Sequence, residues 1–281
     1  MENVVVLRDF SYIERPGEEE LASERFLAAA PSHVDVSIMP PDFKLEEDFI
    51  RSADVLISFG LKMYPAEVLG WVLKHPRHIH VVQDWWEPTQ PNANYRNRVI
   101  GNARTVVFSS PLHRERYLRI YDVQPRDSRI MAFPILESDL ARTPAVTDNP
   151  EDVVLWYAPW HPDYGNDLML AWAKREEQQV HASGLEVPKG EITQRVRGIG
   201  KISLDAAALV IRSYSRFIYF PRKPIPFGFQ AFLAYVHGLE VTYSGEIGCM
   251  GFTDAFEVNS LIEACQNAPN IFWHTVEEVA A

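Results

Sequence analysis

The chain has little cysteine: two residues, Cys249 and Cys265, in a length of 281. Two cysteines cannot make a disulfide framework, and their spacing fits no zinc site, so a reducing cytoplasm is the expected compartment. No continuous apolar run reaches the roughly 18 residues that a membrane-spanning helix needs. The start, Met-Glu-Asn followed at once by Val4-Val5-Val6-Leu7, has no basic segment of the kind that opens a secretory signal. Positive charge is also scarce, with 27 Lys and Arg against 38 Asp and Glu and a formal net charge of −11. That balance excludes a surface devoted as a whole to gripping nucleic acid or anionic lipid. P-loop, nucleophile-elbow and zinc signatures are all missing, and so are internal repeats.

What is present is globular composition, 47% hydrophobic and 23% charged. Seven Trp and twenty Pro are a high count, and many fall in the loops that follow strands. Aromatic loops of that kind suit stacking on a planar ligand or a sugar.

Short apolar runs alternate with helical stretches along the first half. Strands are predicted at 3–8, 33–39, 54–59, 78–82 and 105–108, with helices near 18–30, 45–51, 65–73 and 92–100. Ser109-Ser110-Pro111 caps a further helix. Continuously apolar strands between helices are the pattern of a doubly wound parallel sheet. From 132 to 151 the pattern lapses into a segment with three prolines, read as a linker. Alternation then resumes with a strand at 153–157, a helix at 166–180, an ill-defined stretch to about 197 and a helix ending at Arg212. The last pieces are a helix at 257–267 and a short strand at 270–272. Two α/β units are expected, 1–140 and 141–281, with the ligand in the cleft between them.

Within the second unit, Phe217 to Gly248 carries the most chemistry. An apolar strand to Phe220 feeds a Pro-rich loop holding Arg222 and Lys223, and a helix opens at Gly228. Backbone N–H groups and a helix dipole beside two cations make an anion site, so a phosphate-bearing small molecule is the expected ligand.

These residues resemble the donor-binding segment of retaining glycosyltransferases of the GT-B fold, in particular the glycosyltransferase group 1 (GT4-like) family. Phe220-Pro221 matches the strand end, Pro226-Phe227-Gly228 the helix start, Ala234 the helix alanine, Gly238 to Val241 the next strand entry, and Ser244-Gly245 with Gly248 the turn. Gly200-Lys201-Ile202-Ser203 and the loop from Val153 to Gly165 are similar to upstream elements of that domain. The resemblance covers the second half well and the first half as strand order. It implies two Rossmann-like domains facing a central cleft, transfer of a sugar from a nucleotide-sugar co-substrate to an acceptor hydroxyl, retention of configuration, and no metal or other cofactor. Two positions depart from it: the glutamates that the family keeps eight residues apart are Ile225 and Leu233 here.

Donor-binding candidates are therefore Arg222, Lys223, Pro226, Phe227, Gly228, Lys201, Ser244 and Gly245. Asp84, between Gln83 and the indoles of Trp85 and Trp86, is placed to hold a sugar hydroxyl or act as a base; capping of its own loop is the alternative. His161, with Asp163 in the same loop, is the second catalytic candidate. Gly17, Gly60 and Trp85 are assigned to the acceptor side. His78 and His80 share a strand face and suggest no third metal ligand, so they read as structural. Cys249 has no basic neighbour and is not a nucleophile. Residues 113–119 read as a solvated helix face. Two alternatives stand beside the transferase: a catalytically degenerate relative that binds a partner, and a phage-type enzyme acting on modified DNA bases, for which a glycan or other small molecule would not be the acceptor.

Overall fold

A run of Val, Ile and Leu with no polar side can satisfy itself only by burial on both faces, and that is where the central strands lie. In a computed structural model, residues 2–11, 13–14, 17–44, 46–83, 93–141, 152–252 and 258–281 are described. The chain runs β1 (Glu2–Arg8), α1 (Glu18–Ala28), β2 (Val34–Met39), α2 (Glu47–Arg51), β3 (Val55–Phe59), α3 (Ala66–Lys74), β4 (His78–Val82), α4 (Ala93–Asn102), β5 (Thr105–Phe108), α5 (Pro111–Tyr121), β6 (Ser128–Ile130) and α6 (Glu137–Leu140). It continues β7 (Val153–Tyr157), α7 (Asn166–Arg175), β8 (Gln179–Ser183), β9 (Gly190–Thr193), β10 (Val196–Gly200), α8 (Ala207–Ile211), β11 (Arg216–Tyr219), α9 (Phe229–Val236), β12 (Glu240–Tyr243) and α10 (Val258–Ala280). Every residue of β3, β4, β5 and β7 is buried.

The strands form two six-stranded sheets, ordered β2-β1-β3-β4-β5-β6 and β12-β11-β7-β8-β10-β9. The first is parallel throughout, with registers such as Val4↔Val36, Val4↔Val55 and Ile57↔Ile79. The second is parallel except for the β9–β10 hairpin. In each sheet the winding direction reverses beside the first strand of the unit, between β1 and β3 and between β7 and β11. Open parallel sheets bind ligands at the carboxyl ends of the strands flanking such a reversal. Each unit therefore has its own predicted site before any side chain is considered.

The chain divides into two compact units, one made of residues 1–134 with 263–281 and the other of 135–262. α10 begins in the second unit and ends in the first. There Ala268, Phe272, Trp273 and Val276 join Val4, Val6, Ile57, Ile79 and Val107 in one core cluster, and the Trp273 indole donates to the Phe26 carbonyl at 2.7 Å. The opposite face of the sheet packs Val5, Leu7 and Leu56 against Ile50, Val68, Leu69 and Val72. Among the described residues, no helix is long and apolar enough to cross a membrane.

Two readings of the sequence are corrected. The helix placed over 166–180 stops at Arg175, Glu177 turns the chain at φ +56°, and Gln179–Ser183 is β8, paired in parallel with β7. The stretch that follows, ill-defined by pattern, is the β9–β10 hairpin; at Gly198 an added Cβ would lie 1.6 Å from the Pro188 carbonyl oxygen. The short strand expected at 270–272 is helix. Pro269 removes one N–H from α10, yet the burial of Phe272 and Trp273, 0% and 3% exposed, carries the helix through it.

Candidate functional site

In the second unit, the loops after β7 and β11 flank the reversal. The β7 loop passes Trp160 and His161 and folds into a single 3-10 turn, Pro162–Tyr164, before α7. His161 caps that turn, its Nδ1 accepting the Asp163 N–H at 3.2 Å. The two loops are bound together at Asp163. Its carbonyl accepts the N–H of Arg222 at 2.9 Å and that of Lys223 at 3.4 Å, and its carboxylate pairs with Lys223 Nζ at 2.7 Å. Arg222 pairs with Asp167 on the first turn of α7, and its guanidinium holds the Asp167 carboxyl below the ordinary aspartate range. Both cations are about half exposed, 48% and 49%.

Glycines let these loops approach. Gly165, at φ +78°, packs so tightly that a Cβ would sit 1.9 Å from the Phe220 carbonyl oxygen. Gly245, at φ +91°, is similarly close to the Pro221 carbonyl, which brings the turn after β12 against the Arg222 loop. The loop closes through a parallel bridge, Ile225↔Ile247, with the Gly248 N–H donating to the Ile225 carbonyl at 2.9 Å. Gly228 then opens α9 at φ +86°, and Phe227, Phe229, Phe232 and Leu233 behind it are buried. The Tyr157 hydroxyl donates to the Ile202 carbonyl at 2.8 Å, drawing the segment after β10, which carries exposed Lys201, back to the end of β7.

In the first unit the reversal lies between β1 and β3, and the loops there are those of Asp9 and Gly60. The Asp9 carboxylate accepts three successive N–H groups, from Leu61 at 3.0 Å, Lys62 at 2.7 Å and Met63 at 2.9 Å.

No known sequence family matches the chain, and no curated protein matches it. Solved structures do. The Anabaena protein HepE, in complex with UDP and glucose, is similar at a TM-score of 0.69 and 12% identity, covering 100% of this chain and 95% of that one. An alpha-glucosyltransferase in complex with UDP gives 0.59 and 8%, over 100% and 94%. A glycosyltransferase involved in avilamycin A biosynthesis gives 0.57 and 13%, over 100% and 95%. The chain has the GT-B fold.

On this GT-B frame, Arg222, Lys223, Pro226, Phe227, Gly228, Ser244 and Gly245 come together with His161 around the reversal of the second sheet, and Lys201 is tethered nearby. Phe227 is buried within the loop, only 2% exposed, whereas Pro226 is part-buried. Gly60, at φ +90°, meets the Asp9 carboxylate, and Gly17 caps α1, where a Cβ would lie 2.3 Å from Glu20 Oε2. Asp84 and Trp85 lie outside the described residues. His78 and His80 both meet the buried Ser58 hydroxyl at 2.8 Å, a wholly internal cluster. In the stretch 113–119 read as solvated, His113 and Tyr117 are instead core residues, 0% and 1% exposed, because α5 turns them onto Phe108. Sequence reasoning missed Asp9 and Asp167. Each directly follows a strand or opens a helix at a carboxyl-end loop, and that position was the available signal.

Proposed function

We propose that the protein is a glycosyltransferase that moves a sugar from a nucleoside diphosphate donor to an acceptor hydroxyl. The first unit serves the acceptor and the second the donor. The observation that carries this reading is the reversal site of the second sheet, where Arg222 and Lys223 stand half exposed on a loop that opens α9 at Gly228. Cations beside a helix start are suited to the charge that develops on a departing diphosphate. On donor binding, Arg222 and Lys223 exchange Asp167 and Asp163 for phosphate oxygens. Lys201, Ser244 and Gly245 border the donor, and His161 meets its sugar. The protein's own cations offset the leaving charge without calling on a metal ion, and the sugar keeps its configuration, as the resemblance to the group 1 family implies. The neighbours seen with UDP make UDP-glucose the donor to try first.

Calorimetry with UDP tests the reading. Arg222→Ala and Lys223→Ala are each expected to weaken binding by about tenfold, the loss of a charge-assisted hydrogen bond. Unchanged affinity in both variants would remove the phosphate assignment. A chain that binds no nucleoside diphosphate or nucleotide sugar would remove the transferase itself.

A further inference from the structure

The first sheet reverses between β1 and β3, and one side chain sits across that reversal. Asp9 follows β1 directly, and its own N–H donates to the Phe59 carbonyl at the end of β3, at 3.4 Å. Its carboxylate gathers the three N–H groups of Leu61, Lys62 and Met63 within 3.0 Å. A carboxylate has about four acceptor positions, so this loop alone fills most of them. The backbone so held is strained. Gly60 has φ +90° and Leu61 has φ +109°, a value that an L side chain rarely adopts. Leu61 is nevertheless 4% exposed, anchored in the core. Gly60 is required as well, because a Cβ there would lie 2.4 Å from Asp9 Oδ2. Tyr64 fixes the far end of the loop. Its hydroxyl accepts the Arg8 N–H at 2.8 Å and bonds the Met39 carbonyl, tying the ends of β1 and β2 to the same loop.

Strain of this kind persists only where surrounding structure over-determines it, and it gathers at ligand sites. We infer that Asp9 is a positioning residue. It holds the loop from Gly60 to Met63 in its strained form at the carboxyl edge of β3, the place where the first unit receives the acceptor. This inference rests on the transferase reading for its kinetic part and on the geometry alone for its structural part.

The test uses the full chain, with UDP-glucose as the probe and formate as a surrogate carboxylate. Asp9→Ala is expected to leave the KM for UDP-glucose within about twofold while lowering kcat for UDP release at least tenfold, the scale of a small misplacement at a reacting centre. Amide hydrogen exchange at Leu61, Lys62 and Met63 is expected to quicken in the same variant. Added formate should slow that exchange and restore turnover. Asp9→Asn, which keeps the shape and one acceptor oxygen, should fall between. Wild-type exchange and turnover in Asp9→Ala would overturn the inference, and so would a loss of turnover that formate leaves untouched. If exchange responds as expected but the wild-type chain never turns over UDP-glucose, the choice of UDP-glucose as donor falls while the loop assignment stands.

Discussion

Asp163 holds together two loops that are distant in sequence, accepting from Arg222 and Lys223 through its carbonyl and binding Lys223 through its carboxylate. With Asp167 on Arg222, it gives both cations of the loop a carboxylate partner. Exposed ion pairs contribute little to stability, about 1 kcal/mol or less, so these carboxylates matter more as competitors of an anion than as struts. Replacing them should therefore help the ligand. In calorimetry with UDP, Asp163→Asn combined with Asp167→Asn is expected to tighten binding several-fold, and the gain should shrink as salt is raised. Equal or weaker binding would show that the two aspartates hold the cations in place for the donor. Lys223 and Arg222 were legible in the sequence as a basic pair. Their partners were not, because residues 163 and 222 meet only when β7 and β11 become neighbours.

At the scale of the element, α9 and the bridge before it bury the two positions that the resemblance would make acidic. Six of its eight residues, Phe229 to Ala234, are buried, with Leu233 at 0% exposure, and Ile225 is sealed under the bridge to Ile247. A carboxylate at 233 would have to lose its water without a partner. Leu233→Glu is expected to destabilise the fold by more than about 3 kcal/mol, whereas Leu233→Met should cost under about 1.5 kcal/mol. Urea denaturation followed by circular dichroism measures both. A Leu233→Glu chain of wild-type stability would mean that this position is not sealed in the core. α10 makes the complementary case. Pro269 and its Asn neighbours signal a break, yet Phe272, Trp273 and Val276 bury themselves on the first sheet and outweigh it. Local propensity decides an element only where tertiary burial is weak.

For the whole molecule, acid is the revealing perturbation. Burial pushes the His113 imidazole down to about 3 and holds His78 well below its ordinary 6.5, so both are neutral in the folded chain near neutrality. The unfolded chain titrates them near 6.5. Below that pH it takes up protons that the folded chain refuses, and stability falls until the folded values are reached. His113 alone should remove about 2 kcal/mol between roughly pH 7 and pH 5. Thermal melts across that range should show a steep decline, and His113→Gln should flatten it. A melting temperature that does not change with pH there would contradict the neutral, buried assignment. The sequence pattern reads these histidines as structural groups or part of a solvated face, and only packing against Phe108 and Ser58 shows how deeply they lie.

By itself the sequence determined the alternation of apolar strands and helices, hence two doubly wound sheets, because a strand without a polar face can be satisfied only between helix layers. It also marked the Arg222 loop and the helix start at Gly228, since glycine and a basic pair leave a local signature. Tertiary structure alone decided which loops share a reversal point, that Asp163 and Asp167 face the cations, that Asp9 gathers the loop after β3, and that Leu233 is core. Those facts depend on strand order and on contacts between residues tens of positions apart, and no local pattern encodes either.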